Sequence, residues 1–397
     1  MDKWRYRLTR VLKYHRLLYR VYFGLGSMVL RLVGRFLRID QYLVLFNSYG
    51  GKEYNDNPRA VYEYMSSDSR FSHYHLVWAF HEPSRFTSQI PFTVKVGTIA
   101  FFIAALKARC WITNTSLEYG LSFKQKGTFY VNTGHGTPLK KTGRDLQTHL
   151  GTFQAKADAP SGIDLMPAQS QFEADILAQA FGLYHQNVQV CGFPRNDEIA
   201  HCTPAVSRQL KDQFGLSGKR TILYAPTFRE YEFDDDFRCV LKPPIDFSKW
   251  QKELGRDTVV LFRAHHEIAK VVLPTLLQSD FVLDVSVYPN VNELMMAADV
   301  LVTDYSSIMF DFSILRREMF LFQYDYEKYV ASRGVYFDVR LELPSTQNED
   351  ELIRMIASGN SSSSERIEAF RRRHVEVFGN ATISLVDAIA MELGVPS

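Results

Sequence analysis

The strongest constraint on what this chain can fold into is an alternation that runs twice. From Gln41 onward, short runs rich in β-branched and aromatic residues alternate with segments of helical pattern. The first series is Tyr42 to Phe46, His75 to Phe80, Cys110 to Asn114, Phe129 to Thr133, Asp164 to Pro167 and Val188 to Cys191. A polar stretch with turn residues, His201 to Gly218, interrupts it. The pattern restarts with Thr221 to Ala225, Val259 to Arg263, Phe281 to Val285, Val300 to Thr303 and Met319 to Gln323. Strands that alternate with helices build parallel sheets, because a parallel neighbour needs a long crossover. The expectation is an α/β fold of two Rossmann-type domains facing each other across a cleft, residues 39–203 and 204–363. Residues 345–364, rich in Ser and Asn, read as loop and linker, and 364–397 as a C-terminal helix packing back on the first domain.

Composition permits this. At 397 residues and 46% hydrophobic, the chain can fill two cores, and 14% aromatic content argues against disorder. Cys110, Cys191, Cys202 and Cys239 show no C-x-x-C spacing and no histidines at zinc-site intervals, which points to a reduced, cytosolic protein without a structural metal. Asp234-Asp235-Asp236 reads as a solvated loop, since consecutive side chains point different ways.

The net charge of +2 conceals an asymmetry. Residues 1–38 hold ten Lys and Arg against Asp2, a formal charge of +9, which leaves −7 for the remainder. Placed on a helix, Trp4, Leu8, Val11, Leu12, Leu18, Tyr19 and Tyr22 share a face opposite Arg10, Lys13, Arg16 and Arg20. A second segment, Met28 to Arg38, stripes Arg31, Arg35 and Arg38 among apolar residues. Two basic amphipathic helices on an anionic membrane surface are expected, with no role in binding nucleic acid. The apolar run Val21 to Leu30 is about half the ~20 residues a span requires, and the arginines return without a cleavage site, unlike a signal peptide.

Chemistry concentrates in loops that follow the strands. In Asn132-Thr-Gly-His135-Gly136-Thr137-Pro-Leu-Lys140-Lys141, glycines flank one histidine and let backbone amides approach an anion closely. Three further segments follow strands: Tyr224-Ala-Pro-Thr227-Phe-Arg229, Phe262-Arg263-Ala-His265-His266-Glu and Thr303-Asp304-Tyr-Ser306-Ser307. In open parallel sheets, ligands bind beyond the carboxyl ends of the strands, where all these loops lie. An imidazole titrates near neutrality, so His135 suits a general base. Ser306 and Ser307 start a helix, where hydroxyls and free amides can receive a phosphate or where Asp304 or Ser306 simply caps.

Together with Gly192-Phe-Pro-Arg195-Asn-Asp197, Asn47-Ser-Tyr-Gly-Gly-Lys52, Asn57-Pro-Arg59 and Tyr324-Asp-Tyr-Glu327-Lys-Tyr, these segments resemble the CDP-glycerol glycerophosphotransferase family, bacterial enzymes that build teichoic acids and related polymers. The resemblance runs from about Tyr42 to about Asp338. It implies the GT-B architecture, CDP-glycerol as donor substrate, and neither cofactor nor metal. His135 becomes the base that activates an acceptor hydroxyl for attack on the β-phosphorus, with CMP expelled. Arg263 and His265 neutralise the leaving group, with His266 an alternative to His265. Thr227, Arg229, Asp304, Ser306 and Ser307, with Gly136 and Thr137, contact substrate phosphates. Lys140 either steers an anionic acceptor or is surface charge, and Arg195 and Asp197 either touch substrate or order the crossing between domains.

The expected function is transfer of glycerol phosphate onto an undecaprenyl-diphosphate-linked disaccharide at the cytoplasmic face of the membrane. Chain length favours the priming step, and homo-oligomers are compatible with it. A poly(glycerol phosphate) polymerase or a CDP-ribitol-using relative is the alternative within the family. A sugar-nucleotide glycosyltransferase of the same architecture is the alternative outside it.

Overall fold

A computed structural model describes residues 15–146, 162–227, 229, 240–241, 243–264, 270–271, 278–359 and 361–396. These form two compact units. The first comprises the described residues up to His135, Thr142–Asp197 and those from Asn380 on, and the second Gly136–Lys141 and Glu198–Gly379.

In the first unit, β1 (Asp40–Asn47), β2 (His75–Phe80), β3 (Thr93–Lys95), β4 (Ala108–Thr113) and β5 (Phe129–Asn132) form a parallel sheet in the order β3-β2-β1-β4-β5. Side chains alternate between its faces, and both faces are covered. Val44, Phe46, Trp78, Phe80, Cys110, Ile112 and Val131 lie on one side with Val61, Tyr62 and Met65 of helix α2 (Asp56–Ser67). Leu45, Ala79, Trp111 and Tyr130 lie on the other with Phe101, Ala105 and Leu106 of α3 (Ile99–Lys107) and Leu177 of α4 (Gln171–Phe181). A short parallel pair, β6 (Met166–Ala168) and β7 (Val188–Val190), adjoins β5 through a bridge between Val131 and Leu165.

The second unit repeats the plan. Strands β8 (Arg220–Tyr224), β9 (Thr258–Phe262), β10 (Gln278–Ser279), β11 (Val282–Asp284), β12 (Val300–Thr303), β13 (Glu318–Phe322) and β14 (Ser345–Thr346) are ordered β10-β11-β9-β8-β12-β13-β14, with only β10 antiparallel to its neighbour. Ile222, Tyr224, Val260, Phe262, Val302 and Phe320 pack with Trp250 of α5 (Phe247–Leu254). Leu223, Leu261, Leu301 and Leu321 pack with Met309 and Phe312 of α6 (Ile308–Ser313).

Every apolar run expected as a strand is one, to within two residues. The strands missed are short, the edge strands β3, β10 and β14 and the two-residue parallel pair Val240–Leu241 and Lys270–Val271, whose few residues carry no alternation to read; the stretch 345–364, expected as loop and linker, also holds a helix, Glu349–Ser358. The C-terminal segment differs from the single helix expected. It is two helices, α7 (Ser361–His374) in the second unit and α8 (Ala381–Leu393) in the first, separated by a break in which Gly379 has φ +93°. Leu385, Val386 and Ile389 of α8 enter the core shared with Phe46 and Trp78.

The N-terminal region also differs. Residues 1–14 lie outside those described, but Arg16–Phe36 is one continuous helix, α1, where two were expected. Gly24 and Gly26, which precede the second expected segment, lie inside it. A Cβ on Gly26 would sit 2.8 Å from Leu121, and one on Gly34 3.2 Å from Leu106, so small residues let α1 lie close against the first unit. Tyr19 and Tyr22, expected on the lipid side, face the protein: their hydroxyls donate to the carbonyls of Gly120 and Tyr119, each at 3.1 Å. Leu17, Val21, Leu25, Met28, Leu32 and Phe36 remain exposed. Leu17–Phe36 is, by length and composition alone, apolar enough to cross a membrane, a longer stretch than the run from Val21 to Leu30 suggested.

Candidate active site

In the first unit, His135 stands beyond the carboxyl end of β5. Asn132 Oδ1 accepts from the Gly134 amide at 3.0 Å, and Gly134 (φ +57°) and Gly136 (φ +143°) take backbone conformations that side chains disfavour. The exposed imidazole turns its Nδ1 to the carbonyl oxygen of Asn114, 3.0 Å away. A carbonyl can only accept, so Nδ1 carries a proton and Nε2 is the ring nitrogen left to take one up. That tautomer is the one a base needs.

Beneath the ring is a charged network that the sequence reading did not single out. Asp56, at the start of α2, has its side chain 4% exposed. It accepts from Arg195 Nη1 at 2.9 Å, Tyr49 Oη at 2.5 Å and Asn114 Nδ2 at 3.2 Å. Burial pushes its pKa up, but the Arg195 charge, the Tyr49 hydroxyl, His135 and the Asn57 amide outweigh burial and hold the carboxyl below its ordinary range. Arg195 Nη1 also donates to the His135 carbonyl at 2.9 Å. Asn57 Nδ2 donates to Thr133 and Gly134 carbonyls at 3.2 and 3.3 Å, while its Oδ1 accepts from the Arg195 amide at 3.0 Å. The His135 loop is therefore held from below by residues at the N-terminus of α2 and by Arg195. Tyr49 (φ +46°) and Asp56 (φ +63°) are left-handed without being glycine, strain of about 1–3 kcal/mol each that surrounding contacts must hold. Asp56 could have been suspected only from its place before Asn57-Pro-Arg59.

Asp197 is placed differently. Its two oxygens accept from the Ala381 and Thr382 amides at 2.9 and 2.8 Å, capping α8.

In the second unit, the ends of β8, β12 and β13 are tied together by Arg229. Its side chain is fully buried, with Nε and Nη2 donating to Asp325 at 2.7 and 3.0 Å and Nη1 to Asp304 at 2.7 Å and to the Thr227 carbonyl at 2.8 Å. Thr227 Oγ1 donates to Asp304 at 3.0 Å, as does the Thr227 amide. Tyr305 and Tyr329 stack with centroids 3.6 Å apart, and the guanidinium lies 5.2 Å from the Tyr305 ring centroid. Burial disfavours the Arg229 charge, but Asp304 and Asp325 more than compensate and raise its pKa. Arg229 and Thr227, expected on substrate phosphates, are thus engaged with protein carboxylates. Ser306 and Ser307 are the half-exposed hydroxyls of this loop, and Ser306 Oγ also accepts from the Ile308 amide at 3.4 Å.

Arg263 likewise holds backbone. Its Nη1 donates to the Val285 and Tyr288 carbonyls at 3.2 and 2.7 Å, fastening the loop after β11. His265 and His266 lie outside the described residues, as does Asp234-Asp235-Asp236. In the 136–141 segment, Thr137 is buried, the Lys141 amide donates to the Gly334 carbonyl at 3.1 Å, and the Lys140 ammonium lies 5.8 Å from the Tyr329 ring centroid. Among the described residues, no three His, Cys, Asp or Glu converge as metal ligands.

Two parallel-sheet units whose strand-end loops carry histidine, serine and buried charge define an α/β transferase of the GT-B-like class. Over 95% of this chain and 97% of the other, the fold matches a wall teichoic acid polymerase TagF variant bearing H444N and soaked with CDPG, with TM-score 0.80 and 29% identity. Residues 29–390 match the CDP-Glycerol:Poly(glycerophosphate) glycerophosphotransferase model, and the chain belongs to that family of enzymes. It is 32% identical to a teichoic acid glycerol-phosphate transferase of Staphylococcus aureus, over 82% of this chain and 86% of the relative. It is also 33% identical to a teichoic acid poly(glycerol phosphate) polymerase of Staphylococcus epidermidis over 76% of this chain, but spans 43% of that relative's length.

Proposed function

We propose that the chain transfers sn-glycerol 3-phosphate from CDP-glycerol to an undecaprenyl-diphosphate-linked disaccharide, the priming step of teichoic acid synthesis, with release of CMP. The observation that carries this reading is the Asn114 carbonyl on His135 Nδ1, which leaves Nε2 exposed as a proton acceptor. Nε2 takes the proton of an acceptor hydroxyl as its oxygen bonds to the β-phosphorus. The bond from that phosphorus to the CMP oxygen breaks, and CMP leaves with the electron pair. The first unit holds the acceptor. The second holds the donor, with Ser306, Ser307, Gly136, Thr137 and Lys140 nearest its phosphates and with Arg263 and His265 toward the leaving group. Thr227, Arg229 and Asp304 set the loop of the second unit, a role their mutual hydrogen bonds support, and Arg195 sets the His135 loop through Asp56 and the His135 carbonyl.

The enzyme works as a peripheral protein on the cytoplasmic face of the membrane. Support comes from α1, which is fastened to the first unit by Tyr19, Tyr22 and Arg31 while its opposite apolar face stays open.

CMP release from CDP-glycerol, with a synthetic lipid-linked disaccharide as acceptor, tests the reading. His135→Ala is expected to lower turnover about a hundredfold or more. Turnover only with a preformed glycerol phosphate chain would make the chain a polymerase, and turnover only with CDP-ribitol would overturn the donor. Unchanged turnover in His135→Ala would remove the base.

A further inference from the structure

Helix α1 and the His135 loop are joined by a short chain of contacts, all within the first unit. Residues 119–122 receive α1. Tyr22 Oη donates to the Tyr119 carbonyl at 3.1 Å, Tyr19 Oη to the Gly120 carbonyl at 3.1 Å, and Arg31 Nε to the Ser122 carbonyl at 2.8 Å. The Ser122 amide in turn donates to Ser27 Oγ at 2.9 Å. Tyr119 also reaches the other way, its hydroxyl donating to the Gly50 carbonyl at 2.7 Å. Gly50 adjoins Tyr49, whose amide donates to Asn114 Oδ1 at 2.8 Å, whose hydroxyl meets Asp56 and whose ring centroid lies 5.8 Å from that of His135. Asn114 is the residue whose carbonyl fixes the His135 tautomer.

Backbone geometry singles out the same path. Among the described residues, the non-glycine positions with positive φ are Tyr49, Asp56, Tyr119 and Arg316, and the first three lie on it. Such conformations persist only where surrounding contacts over-determine them. Here the contacts that do so come from α1 at one end and from the Asp56 and Asn114 network at the other. The seat of α1 and the shape of the Tyr49-Gly50 turn are therefore not independent.

We propose that Tyr119 is a positioning residue: through its carbonyl and its hydroxyl, the docking of α1 sets the Tyr49-Gly50 turn that frames His135. This rests on His135 as the base and adds a dependence of turnover on α1 that is separate from bringing the enzyme to a surface. A short-chain, water-soluble disaccharide acceptor removes recruitment from the measurement, so any remaining effect of α1 reports on the site.

The full chain is assayed with that acceptor and CDP-glycerol as wild type, Tyr119→Phe, Tyr22→Phe and the double variant, with melting followed in parallel. Tyr22→Phe removes the part-buried hydrogen bond to the Tyr119 carbonyl, Tyr119→Phe removes the one to the Gly50 carbonyl, and each keeps its ring. The expectation is a fall in kcat of about fivefold for each, KM for CDP-glycerol unchanged, and a double variant no slower than the slower single, because the two bonds act in series. Wild-type kcat in both single variants, or falls that multiply in the double, would overturn the coupling. A fall in kcat accompanied by an equal loss of melting temperature in Tyr22→Phe would overturn it too, since that is what general destabilisation gives. His135→Ala separates the two readings. If it is inactive while Tyr119→Phe is normal, only the coupling fails; if it is fully active, the base reading fails, and a non-additive fall at Tyr22 and Tyr119 still supports the link to the turn.

Discussion

Replacing Arg229 with methionine distinguishes a loop anchor from a phosphate ligand. The side chain is fully buried, and Asp304 and Asp325 are 2% and 10% exposed. Methionine fills much of the volume but leaves two carboxylates without their counter-charge, and breaking a buried pair in this way costs about 3–5 kcal/mol. Thr227 Oγ1 loses a donor at 3.0 Å as well. For a unit of this size each kcal/mol moves the melting temperature by about 2–4 °C, so the second unit should melt on the order of 10 °C lower. The assay is calorimetry together with urea unfolding of the whole chain, and the loss should persist in 1 M salt because buried pairs are poorly screened. Adding Asp304→Asn and Asp325→Asn to the methionine variant should recover part of the stability, since the uncompensated charges are then gone. A phosphate ligand behaves in the opposite way: melting would stay near that of the wild type while KM for CDP-glycerol rises. That outcome would refute the anchoring argument.

Acid stability gives a second check. The Asp56 carboxyl has a lowered pKa in the folded state, so its contribution is fully present above the ordinary value of 3.8 and is lost as pH falls below it through the folded value. Asp56→Asn is therefore expected to be less stable than wild type at neutral pH and to approach wild type as pH drops below about 4; a constant gap down to the lowest pH would contradict the ion pair with Arg195. On α1, the triple substitution Leu25→Glu, Met28→Glu and Leu32→Glu falls on exposed positions, 57%, 59% and 53% accessible. It should abolish sedimentation with anionic vesicles and leave turnover on a water-soluble acceptor intact. Unchanged sedimentation would remove α1 as the membrane contact.

How far the sequence could be read depended on the range of the interaction involved. Strands such as β1 and β12 were visible because their apolar side chains repeat within a few residues, and a parallel sheet covered on both faces demands such runs. The His135 loop was visible because glycine spacing and strand context are also local. Asp56 was not. Its importance comes from Arg195, 139 residues away, and from Asn114, 58 residues away, and neither separation leaves a mark on Asp56 itself. The continuity of α1 was obscured for a related reason. What seats it as one helix is the close approach of Leu121 to Gly26 and of Leu106 to Gly34, residues far away in sequence.

The same distinction explains why arginines in phosphate-like motifs can also hold loops. Arg229, Arg263 and Arg195 each follow a strand, as a phosphate ligand would, and each has its guanidinium directed at protein oxygens. A planar fork of five donors suits a carboxylate or a set of carbonyls as well as a phosphate, so residue type and position alone do not decide between them. What decides is burial. The Arg229 knot brings two carboxylates to one guanidinium, so it offers a phosphate no surplus of positive charge, yet it fixes the loop on which Ser306 and Ser307 stand half-exposed. Phosphoryl transfer is mostly a matter of positioning, and a site built for it gains more from loops that do not move than from one further cation. On that argument, the buried charges beneath His135 and beneath Ser306 serve the same purpose in the two units: they hold rigid the short, accessible groups that meet the substrate.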